Sequence, residues 1–404
     1  MTSAEPSSPN RAVGNLTFYG AAVVAGLAVC VYLAFWGGKY GLDLRVYRDS
    51  ASAFLNGRNP YLLTFTNIRL AYTYPPFALP FLTAFTWEPF SVTQWAMWVV
   101  SIGATTGATA TVLVDRGYES RISLWFGSFA WACVATLALE PARSGIDYGQ
   151  IEFVLMFMVV ADLLVVPPPF RGIVLGIAGA IKLTPLIFIL VLFVQRDRPS
   201  MARMVLSFVA CTGLAWINWP GLSSTYWLHD SIQPGRVGGT AYAGNQSWYA
   251  IFHRPPFPIT GSTPGWLFAS LATALVGIFV AWRCVNTERQ SFAIIAIAMV
   301  GLLISPISWT HHWVWVLLLP PLLIGSRRHR TGLVIRMMMW VLVALTVAAP
   351  YWWISSGWLA DVLEAVVPVW TFAILLAWCA YEYVVWKRNL GHPDHRVGGW
   401  AAHT

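Results

Sequence analysis

Long apolar runs separated by short polar segments dominate the chain and predict a bundle of membrane-spanning helices. A membrane helix needs about 20 consecutive apolar residues, and a shorter run can tilt or cross only part of the bilayer. The predicted spans are residues 16–36, 91–114, 122–139, 150–166, 172–194, 202–219, 264–283, 290–305, 310–325, 333–350 and 366–386. This pattern predicts an all-α polytopic integral membrane protein with about 10–12 transmembrane helices.

The first run, 16–36, is too long for the apolar part of a signal peptide, and no clear small-residue cleavage site accompanies it. We therefore interpret it as an uncleaved span. Residues 1–15 then form a cytoplasmic tail, residues 16–388 form one transmembrane domain, and residues 389–404 form a second cytoplasmic tail.

Clusters of arginine and lysine indicate the orientation, because short loops rich in these residues face the cytoplasm. The clusters at 196–203, 283–289, 327–336 and 387–388 can all be cytoplasmic at once. The outer segments are then approximately 37–90, 140–150, 220–263, 305–312 and 351–365.

The apolar segment 75–87 leaves two topologies open for the front half. If it spans the membrane, residues 147–150 face inside. If it lies at the outer interface, they face outside and another element must be re-entrant. The run 172–194 suits that role because Lys182 and Pro185 interrupt it, and irregular backbone at membrane depth occurs only where it lines a cavity. We favour this second topology because it gathers the polar motifs on one face.

Composition agrees with a membrane protein and excludes other classes. Hydrophobic residues make up 57% of the 404 positions and charged residues 10%, whereas a soluble domain carries roughly 25% charged residues. The mean hydropathy is +0.61. These values exclude a soluble, disordered, collagen-like or coiled-coil chain.

The net charge of +8 is explained by arginine and lysine residues that set the membrane topology, rather than by nucleic-acid binding. Five isolated cysteines without a CxxC motif argue against a disulfide framework or a zinc site.

Polar residues that could carry chemistry begin directly after the first span. Asp43 stands just past the membrane boundary, where a partly desolvated carboxylate can serve as a general base towards a hydroxyl group. The plainer interpretation is a solvated aspartate that caps a helix over 44–55.

Lys182 lies within a strongly apolar segment, which makes it a functional candidate with phosphate as a natural partner. A structural ion pair would explain it equally well.

Two further segments suit ligand binding. His311 and His312 are adjacent, so on a helix they point about 100° apart. For this reason we expect a hydrogen bond to a ligand rather than a shared metal. The long outer loop 220–264 is rich in amides, aromatic residues and glycines. That composition suits a carbohydrate site, and it also suits any mobile loop.

An ordered set of short motifs resembles the polytopic GT-C glycosyltransferases of family GT87. The chain looks most like their mycobacterial polyprenol-phosphate-mannose-dependent α-(1→2)-mannosyltransferases. The matching pieces are Asp43-Leu44-Arg45-Val46-Tyr47, Gly57-Arg58-Asn59-Pro60-Tyr61, Tyr74-Pro75-Pro76, Gly149-Gln150, Lys182-Leu183-Thr184-Pro185, Asn245-Gln246-Ser247 and Ser305-Pro306-Ile307-Ser308-Trp309-Thr310-His311-His312-Trp313. They occur in order over most of the chain.

The resemblance implies a GT-C fold and an inverting glycosyltransferase at the outer face of a bacterial, actinobacterial plasma membrane. Its donor would be polyprenyl-phosphate-mannose. Its acceptor would be a lipid-anchored mannoside of the phosphatidylinositol mannoside or lipomannan type, and the new linkage would be α-(1→2). The family's essential acidic residue corresponds to Asp43, with Asp49 in reserve. The resemblance implies no metal, no other cofactor and no nucleic-acid partner.

Further roles follow from the same resemblance. The residues expected to bind the donor phosphate are Arg45, Arg58, Lys182, Arg236 and Arg254. Those expected to bind the sugar or the acceptor are Tyr61, Tyr74, Gln150, Asn245, Gln246, Trp309, His311 and His312. Two alternatives stay open: a GT-C arabinofuranosyltransferase that uses decaprenyl-phosphate-arabinose, and a polytopic lipid or sugar transporter. The concentration of motifs on one face argues against the transporter.

Overall fold

A computed structural model describes residues 9–35, 41–86, 89–119, 121–231, 239–254, 262–324 and 331–390. The helices are α1 (Pro9–Phe35), α2 (Leu42–Leu55), α3 (Leu79–Leu82), α4 (Phe90–Asp115), α5 (Ile122–Ala138), α6 (Glu140–Tyr148), α7 (Glu152–Leu164), α8 (Ile173–Ile181), α9 (Ile189–Val194), α10 (Arg198–Asn218), α11 (Pro220–Thr225), α12 (Trp248–His253), α13 (Thr263–Val285), α14 (Gln290–Ile304), α15 (Leu319–Ile324), α16 (Leu333–Ala348) and α17 (Trp358–Leu390). A small antiparallel hairpin pairs β1 (Thr64–Phe65) with β2 (Leu70–Ala71).

The apolar runs form helices, and the prediction of an all-α polytopic membrane protein is confirmed. Within the described ranges, α4, α10, α13, α16 and α17 are long and apolar enough to cross a membrane. Helices α5 and α6 add a sixth if they are one span bent by 86°. The other predicted spans coincide with shorter apolar helices. The total of 10–12 spans stays a prediction.

Helix α14 forms the centre of the bundle. Nearly all of its side chains are buried, and it packs against α7, α9, α13 and α17. Helices α10 and α13, by contrast, bury only 17% and 22% of their most apolar 18 residues, and the other apolar side chains are exposed or half-buried. A helix that is apolar all round and still exposed is typical of one that faces lipid.

The segment 76–86 consists of consecutive helical pieces of three, four and four residues. It packs against α2 and is far shorter than the roughly 20 residues that cross a bilayer. This length favours the interfacial position. The predicted interruption of 172–194 is confirmed, because α8 ends at Ile181, Lys182 is extended and a 3-10 turn with Pro185 follows. Proline cannot continue the preceding helix, since it lacks the N–H donor.

Glycine at position 149 brings α2 against the junction of α6 and α7. Gly149 has a φ of +73°, and a Cβ atom there would lie 2.7 Å from Cβ of Leu44. Only glycine combines that backbone conformation with so close an approach. The N–H of Gly41 also donates to the carbonyl of Asp147 at 3.0 Å. The first turn of α2, which carries Asp43, is thereby held beside Gln150.

Candidate active site

A cavity of about 520 Å³ opens between the start of α2, the α6–α7 junction, the break after α8 and the segment 305–312. Seven of the side chains expected to act on the substrates contribute to its wall. They are Asp43, Tyr74, Gln150, Lys182, Trp309, His311 and His312. The fold therefore brings together residues as distant in the sequence as Asp43 and His312.

Gln150 connects the candidate base to a histidine. Its amide Nε2 donates to Oδ2 of Asp43 at 2.5 Å and lies 3.0 Å from Nε2 of His311. Its carbonyl oxygen accepts from the hydroxyl of Tyr47 at 3.1 Å. Because an amide nitrogen can only donate, Nε2 of His311 is the unprotonated nitrogen in this arrangement. Gln150 thus fixes the orientation of the Asp43 carboxylate.

The carboxyl group of Asp43 titrates near neutral pH. Burial raises its pKa to about 7, against the hydrogen bond from Gln150, which lowers it. The nearby Glu152 raises this pKa further and Lys182 lowers it. A general base is most effective when its pKa lies near the working pH. Asp43 is therefore suited to take a proton from an attacking hydroxyl group.

A second polar chain starts at Tyr47 and ends in an ion pair. The hydroxyls of Tyr47 and Tyr74 are 2.6 Å apart, and Nζ of Lys182 donates to the Tyr74 hydroxyl at 3.1 Å. Lys182 forms an ion pair with Glu152, whose Oε1 also lies 3.1 Å from Nε2 of His312. The positive charge of Lys182 is thus shared between Glu152 and any anion that enters the cavity.

Sequence reasoning missed Glu152, although a signal for it was present. This carboxylate stands at the start of the apolar run 150–166, just as Lys182 interrupts another. A charge in such a run is expected to have a partner or a function. The same rule that selected Lys182 would have selected its partner.

Arg254 does not take the phosphate role expected of it, because its side chain is buried and its donors are engaged. Its guanidinium donates to the carbonyls of Ala241, Tyr242 and Asn245. It also pairs with Glu364 at 3.2 Å. Arg254 fixes the course of the outer loop and does not line the cavity.

Asn245 and Gln246 are likewise buried braces rather than lining residues. Oδ1 of Asn245 accepts from the N–H of Ser308 at 2.8 Å, and its Nδ2 donates to the carbonyl of Pro306 at 3.0 Å. The N–H of Gln246 donates to the carbonyl of Ser308 at 2.8 Å. These bonds tie the outer loop to the segment that carries the histidines. Nε2 of Gln246 donates to the carbonyl of Ala243 at 2.7 Å, and neither side chain lines the cavity.

Three other expected residues lie away from the cavity wall. Arg45 is exposed and stacks over the ring of Phe90 at 4.1 Å. Arg58 is exposed and is not part of the wall. Tyr61 is buried behind the wall, where its hydroxyl donates to the carbonyl of Tyr74 at 2.8 Å. Arg236 falls outside the described residues.

A second cavity, of about 330 Å³, adjoins the first and is largely apolar. The two share Leu183, Thr184, Ser305, Ile307 and His312 as lining residues. Its far wall consists of aliphatic and aromatic side chains from α7, α14 and the segments around Phe188 and Trp315.

Comparison with known proteins identifies the family of this chain. The model of glycosyltransferase family 87 matches residues 72–306, more than half of the chain. The chain belongs to glycosyltransferase family 87. The match includes Tyr74, Gln150 and Lys182, whereas Asp43 and both histidines lie outside it. The fold nevertheless places them in the same cavity of this glycosyltransferase.

Three mycobacterial relatives are similar to this glycosyltransferase. A polyprenol-phosphate-mannose-dependent α-(1-2)-phosphatidylinositol mannoside mannosyltransferase of Mycobacterium tuberculosis is 31% identical over 312 residues, which is 73% of each chain. Its namesake in Mycolicibacterium smegmatis is 31% identical over 69% of this chain and 68% of its own. A phosphatidylinositol pentamannoside mannosyltransferase of M. tuberculosis is 32% identical over 88% of this chain and 80% of its own. No solved structure gives a significant match.

Among the side chains that the structure describes, no group of three or more His, Cys, Asp or Glu residues is arranged to hold a metal ion. The expectation that this glycosyltransferase needs no cofactor stays a prediction.

Proposed function

We propose that this glycosyltransferase moves mannose from a polyprenyl-phosphate donor to a lipid-anchored mannoside, with Asp43 as the general base. The names of the relatives support the donor, the acceptor class and the α-(1→2) linkage. The observation that carries the chemical role is the Asp43 carboxylate itself. It lines the cavity, is oriented by Gln150 and titrates near neutral pH.

The transfer needs one displacement at the anomeric carbon. Asp43 takes the proton of the acceptor hydroxyl while the hydroxyl oxygen bonds to the anomeric carbon. The bond from that carbon to the phosphate oxygen breaks, and the polyprenyl phosphate leaves with the electron pair. A β-linked donor then gives an α-linked product. As in inverting glycosidases, one base suffices and no enzyme nucleophile is needed.

Charge that develops on the leaving phosphate needs a fixed positive partner. Lys182 is the cationic side chain in the described cavity wall, and the Tyr74 hydroxyl and His312 stand beside it. We assign the phosphate to this side. The adjoining apolar cavity reaches the same point at His312 and Thr184, and offers the isoprenoid chain an environment like the membrane interior.

For the location, we infer a plasma membrane with the cavity open to the outer side. The histidines stand at one end of the segment 310–324. At its other end, Arg116 and Arg336 donate to the carbonyls of Leu322 and Leu323. Arginines collect on the cytoplasmic side, so this polarity supports a cavity that faces outwards.

The first test uses protein in nanodiscs with radiolabelled polyprenyl-phosphate-mannose and a phosphatidylinositol mannoside acceptor. We expect label in a longer mannolipid. Asp43→Asn is expected to lower kcat by at least a factor of about 100, because general-base catalysis contributes roughly that much or more. Asp49→Asn is the matched control, since Asp49 is on the same helix, is exposed and does not line the cavity.

Two results would contradict the proposal. Substantial turnover by Asp43→Asn would remove the base assignment. Transfer from decaprenyl-phosphate-arabinose, with none from the mannose donor, would replace the donor assignment.

A further inference from the structure

Three neighbouring aromatic side chains, Tyr242, Trp309 and Trp352, line the catalytic cavity where it is most open to the surface, and this cluster is here called the aromatic mouth. The ring centroid of Tyr242 lies 6.2 Å from that of Trp309 and 5.7 Å from that of Trp352. Tyr242 is 58% exposed and Trp352 is 42% exposed, whereas His311 and Tyr74 deeper in the cavity are buried. The aromatic mouth is thus an exposed apolar surface that continues directly into the catalytic cavity.

Buried contacts hold one side of the aromatic mouth in place. The indole N–H of Trp352 donates to Oε1 of Glu140 at 3.2 Å. The buried Glu140 carboxylate also accepts from the hydroxyls of Thr310 at 3.0 Å and Tyr351 at 2.8 Å. A buried carboxylate with three donors is a firm anchor, because each donor replaces hydration that burial has removed. Trp352 is therefore oriented by the protein interior although its ring is exposed.

The other side of the aromatic mouth depends on Gly244 and Arg254. A Cβ atom at Gly244 would lie 2.9 Å from the ring of Tyr242 and 3.2 Å from that of Trp352. Arg254 donates to the backbone carbonyl of Tyr242 at 2.7 Å. The rings of Tyr242 and Trp352 thus pack over Gly244, on a loop whose backbone is held in place by Arg254. Aromatic surface held exposed and in fixed orientation is typical of a preformed binding site.

The chemistry of the aromatic mouth fits a pyranose ring. One face of such a sugar presents C–H groups, which pack against a flat aromatic surface, while its rim of hydroxyls stays in water. The donor carries a single sugar, and that sugar has to lie beside Asp43 to react. The acceptor is the substrate with further sugars, which must leave the cavity through its rim.

We propose that the aromatic mouth is the subsite for the sugars of the acceptor oligosaccharide that precede the attacked one. This assignment rests on the proposed function. It makes Tyr242 and Trp352 determinants of acceptor length, since an acceptor with one mannose would not reach them.

Transfer kinetics with two acceptors test the assignment. For a lipid-anchored oligomannoside, Trp352→Ala and Tyr242→Ala are each expected to raise the acceptor KM about tenfold, as loss of an aromatic anchor does at other interfaces. Both kcat and the donor KM should stay unchanged. For a lipid carrying one mannose, neither variant should change the acceptor KM.

Trp353→Ala is the matched control. Trp353 is the next residue, is 65% exposed and does not line the cavity. Trp352→Phe keeps an aromatic ring but loses the bond to Glu140, so a smaller rise in KM is expected. An unchanged oligomannoside KM, a rise in the donor KM instead, or an equal effect of Trp353→Ala would each overturn the proposal.

Binding of a free, lipid-less oligomannoside, followed by saturation-transfer NMR, separates this proposal from the proposed function because it needs no turnover. Wild-type protein should bind the oligomannoside and Trp352→Ala should not. If the wild type binds it in this way yet transfers no mannose, the subsite stands and the proposed reaction is wrong. If the wild type transfers mannose and Trp352→Ala binds normally, the subsite is wrong and the reaction stands.

Discussion

The environment of Asp43 disfavours its charged form, so the reaction rate should depend on pH. Below a pH of about 7 the raised pKa keeps the carboxyl group protonated, and a protonated base cannot accept a proton. We expect kcat/KM to rise about tenfold per pH unit up to about pH 7 and then to level off. Initial rates across this range measure it, and a flat profile would show that Asp43 does not titrate there.

Gln150 should control the pH at which the rate rises. Its hydrogen bond favours the charged form of Asp43 and so lowers the pKa. Gln150→Leu removes the donor, and the rising limb of the pH profile should then shift to higher pH. A purely structural role for Gln150 would lower the rate at every pH without moving the limb.

The raised pKa also predicts how Asp43→Asn affects stability. Between the ordinary aspartate pKa and about 7, the folded protein holds a proton that the unfolded chain has lost. The free energy of unfolding therefore decreases as the pH rises through this window. Asp43→Asn removes this decrease, because asparagine does not titrate. Above pH 7 the melting temperature of Asp43→Asn should be no lower than that of the wild type. A lower value would mean that lost activity reflects lost structure.

Lys182 and Glu152 depend on each other, because their side chains are only 16% and 9% exposed. Removing one partner of such a pair costs about 3–5 kcal/mol, since the other charge is left buried without its counter-charge. Lys182→Met should destabilise the protein strongly in thermal unfolding, and Lys182→Met with Glu152→Gln should recover most of the loss. The donor KM should stay raised in both. Additive effects on stability would contradict the pairing.

At the scale of elements, the position of α2 depends on Gly149. Alanine there would combine a left-handed backbone conformation, costing about 1–2 kcal/mol, with a collision against Leu44. We expect lower stability and a lower kcat for Gly149→Ala, because α2 would shift away from Gln150. Gly57→Ala is the matched control, since Gly57 has a φ of +70° with no atom near enough to collide. Equal loss in both variants would mean that backbone strain alone is responsible.

The helices and the break at Lys182 could be predicted because apolar length and proline act locally. The break between α5 and α6 follows from the same local signal, because Pro141 stands in the first turn of α6, but the sequence did not predict its angle of 86°. Within the site, Asp43, Lys182 and His311 stood out as polar groups in apolar surroundings. Arg254 and Asn245 are also polar residues of the outer loop, so the sequence alone does not distinguish them from residues that line the cavity. Only the tertiary contacts show that they brace the outer loop.

At the scale of the whole molecule, the proposed orientation predicts which residues are reachable from outside the cell. Arg58 and Asn286 are both exposed, but Arg58 lies on the side of the cavity and Asn286 follows α13 at the end rich in arginine. Arg58→Cys should react with a membrane-impermeant maleimide in intact cells, and Asn286→Cys should react only after lysis. Wild-type protein gives the background from its native cysteines. The reverse pattern would invert the topology.

The ion pair between Lys182 and Glu152 also affects the release of the product phosphate. Because the two charges cancel, Lys182 leaves the described part of the resting cavity wall without excess positive charge that would retain an anion. On the proposed reaction, the donor arrives as a phosphodiester and departs as a phosphate monoester, which is more strongly ionised. That product stands beside a carboxylate that competes for the same lysine. We therefore expect this arrangement to limit product inhibition, so that the spent lipid carrier returns to the membrane and the enzyme is freed for the next donor.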